Sequence, residues 1–287
     1  MAGIMRQPSL AGMWYPGDPQ SLERELEGCF RHRLGPGELP PHPPKPGTES
    51  RSTIGLVSPH AGMAYSGAAA AHGYLRLAQE GLPEVVVVVG PNHGRLNADN
   101  AIQGAGGWET PLGPAPIHEE AASKVAEACD FLVDSASAHA EENSIELQVP
   151  FLRYVFGDEL RWVPIMMADQ SYATSERLGQ GLAQALTGMD AVIVASSDLT
   201  HEMAGGDAKR DDPKVLEPLL QLDARAMDEA RRRHRVTMCG YGPIIAMLTA
   251  AKQWGGHTAE LLCYCTSEDV AGPHGGAVGY ASVAVSR

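Results

Sequence analysis

The feature that most constrains the fold is a repeated alternation of short β-rich apolar runs with longer helical patterns. Such alternation is typical of βαβ units, in which helices connect the parallel strands of one sheet. The run at residues 85–89 consists of valine alone and therefore has no polar face. A strand of this kind is covered on both sides, so we predict that it lies at the centre of the sheet. The sequence thus predicts an α/β fold with a central, mostly parallel sheet flanked by helices.

The alternation can be divided into four predicted strand–helix pairs and three closing elements. The predicted pairs are residues 53–57 with 66–78, 85–89 with 121–128, 161–166 with 175–186, and 191–195 with 215–231. The closing elements are a helix at 242–253 and apolar runs at 259–265 and 277–285. We find no internal repeat in the sequence.

The start of the chain predicts one helix followed by a loop. Asp18 and Pro19 are typical of a helix start, with the aspartate as N-cap and proline at the first helical position. We predict that this helix runs to about Arg33. Residues 35–50 contain six prolines and cannot continue it. We interpret them as a Pro/Gly-rich surface loop inside one domain that spans residues 1–287.

Charge and composition exclude several classes of partner. The formal net charge is −13, whereas binding to nucleic acid comes largely from clustered Lys and Arg. No apolar run approaches the roughly 20 residues needed to cross a bilayer, and residues 1–20 lack the apolar core of a signal peptide. The five cysteines are odd in number and scattered, unlike a disulfide framework. We therefore expect a cytoplasmic protein without a nucleic-acid or membrane partner.

A histidine lies within six residues of the end of each of three apolar runs. His60 follows the first run, His93 follows the valine run, and His201 follows the run at residues 191–195. Ligands of open α/β sheets bind beyond the carboxyl ends of the strands. One such histidine is most simply a hydrogen-bonded loop residue, but three at equivalent strand ends predict a shared site. Two imidazole ligands require a third protein donor to form a metal site with open positions.

The sequence offers three candidates for this third donor. Cys239 precedes a Gly-Tyr-Gly-Pro turn that opens the last helix, and a helix N-terminus lowers a thiol pKa and favours the thiolate. Asp198 or Glu142 would instead complete a site of two histidines and one carboxylate. The carboxylates of residues 139–150 also suit helix capping or the orientation of metal-bound histidines. From the residues alone, the three donors remain alternatives.

Several motifs follow one another in an order that resembles a known family. They are Gly12-Met13-Trp14-Tyr15-Pro16, Pro59-His60-Ala61-Gly62, Tyr65-Ser66-Gly67, Gly90-Pro91-Asn92-His93, Trp108-Glu109-Thr110-Pro111-Leu112-Gly113, Glu142-Asn143-Ser144-Ile145-Glu146, Ser196-Ser197-Asp198-Leu199-Thr200-His201, and Cys239-Gly240 with Pro243. By these motifs, which extend over nearly the whole chain, the protein resembles the MEMO family. That family is in turn similar to the class III extradiol dioxygenases of the LigB type.

The resemblance implies a LigB-like architecture and assigns roles to the candidate residues. His60 and His93 are the expected histidine ligands of Fe(II), and Cys239 matches the cysteine that MEMO proteins have in place of the dioxygenase carboxylate. His201 matches the histidine that transfers a proton. We expect Asp198 to orient either His201 or a metal-bound water.

The expected function is that of a metal-dependent redox enzyme acting on a small aromatic or phenolic substrate. The thiolate makes the site softer, which favours Fe(II) and also admits copper. Asn143 departs from the family pattern, which usually has a histidine there. One alternative is a protein without catalytic activity that uses the same cleft. It would bind iron or copper there, or a peptide segment of a protein partner. Another is metal-assisted hydrolysis.

Overall fold

The computed structural model describes most of the chain as an alternation of strands and helices. The described residues are 3–42, 44–47, 51–94, 98–201, 207–273 and 276–287. Residues 43 and 48–50 of the predicted surface loop lie outside them. The loop's described residues contain neither helix nor strand.

The strands in these ranges are mostly short, except in the centre and at one edge of the main sheet. They are β1 (Met5–Arg6), β2 (Thr53–Ser58), β3 (Val85–Pro91), β4 (Ala101–Ile102), β5 (Gly107–Trp108), β6 (Ala115–Pro116), β7 (Val133–Asp134), β8 (Trp162–Met167), β9 (Ala191–Ser196), β10 (Thr258–Thr266) and β11 (Gly279–Ser286). Strands β4 to β7 have two residues each and were not predicted. Runs of that length are too short to show a period.

The helices of the described ranges lie largely between these strands. They are α1 (Pro19–Arg31), α2 (Met63–Glu80), α3 (Glu119–Ala128), α4 (Asn143–Glu146), α5 (Val149–Phe156), α6 (Tyr172–Ala185), α7 (Ala208–Asp211), α8 (Pro213–Leu220), α9 (Ala224–His234), α10 (Tyr241–Gln253) and α11 (Ser267–Ala271). The Asp18 side chain accepts a hydrogen bond from Ser21 N–H at the start of α1, which confirms the predicted cap. Among the described residues, no helix combines the length and apolarity needed to cross a membrane.

The main sheet has eight strands in the order β10-β11-β2-β9-β3-β8-β4-β7. The four strands β2, β9, β3 and β8 are parallel to one another. Antiparallel pairing occurs between β10 and β11, between β11 and β2, and between β4 and β8. The prediction of a mostly parallel sheet flanked by helices is therefore confirmed.

Strand β3 lies between β9 and β8, and all of its residues are buried. Val85, Val87 and Val89 belong to a core formed with α3, α6 and α10. Val86 and Val88 belong to a second core, formed with α1, α2 and α5. Successive side chains of a strand point to opposite faces, so a strand of five valines needs an apolar layer on each side. The prediction of a central strand is confirmed for that reason.

The single helix predicted at residues 215–231 is wrong. The chain forms α8 and α9 instead, with Leu222 between them in a left-handed conformation at φ 58°. Asp223 then caps α9 by accepting a hydrogen bond from the backbone N–H of Ala226 at 2.9 Å. The apolar spacing continues across the break, because Leu219 of α8 and Met227 of α9 are both buried. Continuous periodicity therefore concealed the turn.

Candidate metal centre

The candidate ligands lie at the carboxyl ends of three neighbouring strands. Strand β9 pairs with β2 on one side and with β3 on the other. His60 follows β2, His93 follows β3, and Asp198 and His201 follow β9. The imidazole ring centroids of His60 and His93 are 5.1 Å apart. The structure thus brings the predicted strand-end residues to one edge of the sheet.

Cys239 joins the two histidines at this edge. The ligand atoms that His60, His93 and Cys239 offer all lie within 4.8 Å of one another. Cys239 Sγ is 3.2 Å from Nε2 of His60. One ion can contact three donors that converge in this way, so this group is a candidate metal centre.

The position of Cys239 is fixed by the turn that begins α10. Gly240 packs so closely on the end of β9 that a Cβ at this position would lie 2.2 Å from the carbonyl oxygen of Ser196. The backbone N–H of Gly240 donates a hydrogen bond to Ser197 Oγ at 2.9 Å. A residue with a side chain at position 240 would push Cys239 away from the histidines.

Buried hydrogen bonds fix the tautomer of His60. Its Nδ1 is 2.9 Å from Ser196 Oγ. The Ser196 hydroxyl donates to the carbonyl oxygen of Ser144 at 2.6 Å, and its Oγ accepts from Nε2 of Gln148 at 2.7 Å. Because the Ser196 proton is already used, His60 Nδ1 must carry the donated hydrogen. The lone pair of His60 is then on Nε2, which faces Cys239.

Glu142 fixes His93 in the same tautomer. Its Oε1 accepts from the Nδ1–H of His93 at 2.9 Å, and its Oε2 accepts from the backbone N–H of His93 at 2.8 Å. Burial alone would raise the pKa of Glu142, but these bonds and one from the Ser144 N–H hold it below its usual value. The carboxylate therefore orients the ring and leaves Nε2 as the donor atom.

The titration behaviour of His60 and Cys239 follows from burial. Burial and the neighbouring His93 hold the pKa of His60 well below its usual value, so the ring is neutral. Burial, and after it the Asp198 carboxylate, raises the pKa of Cys239. The prediction of a lowered thiol pKa at the start of α10 is therefore wrong for these surroundings, in which burial and the Asp198 charge both disfavour the thiolate. A cation beside Sγ would reverse that balance by stabilising the thiolate.

Asp198 and His201 occupy different surroundings. Asp198 is buried, and its Oδ1 accepts a hydrogen bond from the backbone N–H of His60 at 2.7 Å. His201 is exposed, and its Nδ1 donates to the carbonyl oxygen of Leu199 at 3.0 Å. Asp198 thus fixes the loop that carries His60, and a backbone carbonyl orients His201.

A cleft of about 610 Å³ opens onto the two histidines. Its wall is largely apolar and also carries polar groups that face the space. The lining residues are Met13, Trp14, His60, Ala61, Gly62, Ala64, Tyr65, His93, Asn143, Asp198, His201 and Val278. Cys239 is not part of this wall and meets it through His60. A small flat molecule in the cleft would therefore lie against His60, His93 and His201.

The exposed side chains of Met13, Trp14 and Tyr65 form the rim of the cleft. A buried carboxylate holds the segment that carries Met13 and Trp14. Glu146 accepts hydrogen bonds from Arg6, Ser9, Leu10 and Tyr15, all at 3.1 Å or less. These donors belong to the segment that carries Met13 and Trp14. The backbone of that segment also accepts from Met63 N–H at the start of α2, through the Trp14 carbonyl. The rim is thus exposed, but its backbone is anchored on both sides.

Sequence reasoning suggested that a carboxylate such as Glu142 orients a histidine, as it does for His93, but it missed the neutral polar residues behind His60. Gln148 connects three groups behind His60. Its amide N–H groups donate to Ser196 Oγ and to the Pro59 carbonyl oxygen, and its Oε1 accepts from the Tyr74 hydroxyl at 2.5 Å. Gln148 is fully buried. The one signal in the sequence is a glutamine among apolar neighbours on the α4–α5 segment, because a buried amide needs partners.

Comparison with known proteins gives matches over nearly the full length. A family model described as Memo-like protein matches residues 6–284. A MEMO1 family protein of Methanopyrus kandleri is 42% identical over 284 residues, which cover 98% of this chain and 99% of that protein. MEMO1 family proteins of Ignicoccus hospitalis and Nitrosopumilus maritimus are 39% and 34% identical, each over 98% of this chain and over 98% and 99% of their own lengths.

Proposed function

The chain belongs to the Memo-like protein family, and on that premise we propose that it is a metal-dependent redox enzyme acting on a small aromatic or phenolic molecule. The observation that carries the proposal is the convergence of His60, His93 and Cys239 within 4.8 Å at an apolar cleft. The resemblance to extradiol dioxygenases of the LigB type adds the reaction class. The substrate class rests on the cleft wall.

The donor set fits one Fe(II) or copper ion. Both imidazoles have their Nδ1–H engaged by Ser196 or Glu142, so each offers a bare Nε2. A thiolate with two imidazoles is a set that softer, redox-active ions favour over Mg²⁺ or Ca²⁺. Such an ion would supply one-electron chemistry and Lewis acidity to a substrate in the cleft. The protein's own part is to hold the three donors and to shape the space beside them.

His201 is the group that we assign to proton transfer. Its ring lines the cleft, and its Nδ1–H is engaged by the Leu199 carbonyl. Nε2 is therefore the nitrogen left to accept a proton from a phenolic hydroxyl and to return it later. Asp198 supports the site through the loop of His60, because its Oδ1 accepts from the His60 backbone N–H. It thus acts as a positioning residue.

The rim supports an aromatic or phenolic substrate. Trp14 and Tyr65 present large rings, and Met13 presents a flexible thioether, at the mouth of the cleft. Aromatic rings and thioethers pack well against a planar apolar ligand. Asn143, His93 and His201 add polar groups to the lining of the same cleft. A phenol would bury its ring at the rim and its hydroxyl group near the metal centre.

Dioxygen consumption tests the proposal. The full-length protein is loaded anaerobically with Fe(II) or with Cu(I), then mixed with oxygenated buffer and a panel of catechols and simple phenols. We expect oxygen uptake that matches substrate loss, and none in a His60→Ala, His93→Ala variant. If the protein binds metal but consumes no oxygen with any substrate, the proposed enzymatic function is contradicted and a non-catalytic metal-binding function is favoured. Substrate cleavage without oxygen uptake would favour hydrolysis.

A further inference from the structure

A groove lies beside the cleft of the metal centre, where α1, α2 and α11 meet. It has a volume of about 360 Å³. Its wall is largely apolar and consists mainly of Gly28, Cys29, Met63, Ala64, Ala68 and Val270. Ala64 also lines the cleft, and it is exposed. The groove and the cleft are therefore neighbouring spaces that share one small side chain.

The groove opens beside a close contact between α1 and α2. A Cβ at Gly67 of α2 would lie 2.4 Å from Sγ of Cys29 in α1, so the two helices touch at this point. Ala64 and Ala68 are four residues apart and share one face of α2. Together with Gly28 of α1, these small residues leave space next to the contact between the helices.

Gly28 differs from the other glycines in the described helices. A Cβ added to any of the others would lie 2.2–2.8 Å from a neighbouring atom, so close packing requires Gly67, Gly73, Gly179, Gly181 and Gly242. A Cβ added to Gly28 would meet no atom within 4 Å. Glycine is less favourable within a helix than any residue except proline, and packing does not require it at position 28. Its missing side chain leaves the groove open.

We propose that this groove binds an uncharged aliphatic chain on the phenolic substrate, so that the substrate is an alkyl-substituted phenol or catechol. The inference rests on the proposed function, which puts the ring of the substrate in the cleft. The chain then passes over Ala64 and lies between α1 and α2. Each methylene group that leaves water for this apolar wall strengthens binding.

Glu25 makes the groove unfavourable for an anionic chain. It lines the groove with the apolar residues and is partly buried. A carboxylate at the end of the chain would lie near the Glu25 carboxylate, and like charges repel each other more strongly where water is partly excluded. The wall therefore favours a hydrocarbon chain over a fatty-acid chain.

Calorimetric titration of the full-length protein, without added metal and without oxygen, tests the proposal. The ligands are phenols with para-methyl, para-butyl and para-hexyl substituents. The dissociation constant should fall about fourfold for each methylene group that enters the groove, and should level off once the groove is full. Equal affinity for all three ligands would overturn the groove and leave the proposed function intact. If none of them binds, the proposed function itself is contradicted, and this inference with it.

Two variants at one position show where the chain binds. Gly28→Leu places a branched side chain in the groove, so the ratio of the affinities for hexylphenol and methylphenol should fall close to one. Gly28→Ala is the matched control, because it removes the same helix glycine but adds only one carbon atom and should keep most of this ratio. Both variants should melt at or above the wild-type temperature, since leucine and alanine favour a helix. A ratio that persists in Gly28→Leu, or that both variants lose equally, would overturn the assignment of the chain to the groove.

Discussion

The floor of the cleft, formed by His60 and Asp198, and its rim are built in opposite ways. On the floor, His60 and Asp198 are 2% and 3% exposed, and hydrogen bonds fix them to buried partners. On the rim, Met13, Trp14 and Tyr65 are 71%, 41% and 45% exposed. These two residues have one geometry because their polar groups are committed to buried partners. The rim presents large apolar side chains to whatever enters.

This difference separates the two tasks of a binding site. A buried polar network is expensive to disturb, because each unpaired group loses its hydrogen bond without regaining water. An exposed side chain changes at little expense unless a ligand contacts it. Substitutions on the floor should therefore change metal affinity and stability, whereas those on the rim should change only the response to substrate.

His201 gives the sharpest exception, because it lies in the cleft but outside the buried network. His201→Gln should lower turnover by about 10²–10⁴, the usual contribution of a positioned acid or base. Metal content should stay close to that of the wild type, since the ligand atoms that converge within 4.8 Å belong to His60, His93 and Cys239 and not to His201. Steady-state kinetics and elemental analysis on the same sample measure both. Loss of metal in His201→Gln would indicate that His201 is a ligand and would contradict its assignment to proton transfer alone.

Glu146 tests whether the rim depends on the buried interior. Glu146→Gln should destabilise the protein by about 3–5 kcal/mol, because Arg6 is buried and loses its charged partner. Chemical denaturation gives the change in the free energy of unfolding. Asp130→Asn is the matched control, since Asp130 forms an exposed pair with Arg177. That change should stay below about 1 kcal/mol. Equal effects of the two substitutions would show that the Glu146 anchor adds nothing.

Glu142 tests the floor itself. Glu142→Gln removes the carboxylate that orients His93, and loss of such a partner lowers metal affinity by about 10–100-fold. Competition with a chelator of known affinity measures the change. Glu141→Gln is the control, because the neighbouring Glu141 is exposed and should keep the wild-type affinity. If the two variants bind metal equally well, the hydrogen bonds of Glu142 do not orient the ligand.

Trp14 should give the smallest effect on the metal. Trp14→Ala removes a rim side chain that is 41% exposed, so metal affinity should stay within about twofold of the wild type. KM for an aromatic substrate should rise while kcat changes less, because the ring contributes binding in ground state and transition state alike. The same chelator competition and kinetics measure both. A large loss of metal affinity in Trp14→Ala would contradict the claim that metal binding does not depend on the rim.

The sequence carried enough information to predict the sheet and the ligand positions. The valine run could only be a covered strand, and histidines directly after such strands share an edge because parallel strands end together. His60 and His93 were located in this way. Cys239 was one of three open donors, and the family resemblance selected it. Its ligand atom lies with theirs in the structure.

The role of a carboxylate such as Glu142 was suggested by the sequence, but the contacts behind His60 could not be predicted, because they join residues far apart in the chain. Ser196 Oγ donates to the Ser144 carbonyl across 52 positions, and nothing in either segment indicates the other. Asp198 was expected to orient His201 or a metal-bound water, and in the structure its Oδ1 accepts from the backbone of His60. The break at Leu222 was concealed by continuous apolar spacing. Local pattern thus predicted elements, and tertiary contacts decided how the side chains pair.

The metal content of anaerobically purified protein tests the central claim most directly. Three converging donors from His60, His93 and Cys239 predict roughly one Fe(II) or copper ion per chain in the wild type. A His60→Ala, His93→Ala variant should remain folded by circular dichroism and contain almost none. Metal content that is unchanged in the folded variant would contradict the account, because the ion would then be held somewhere other than this edge of the sheet.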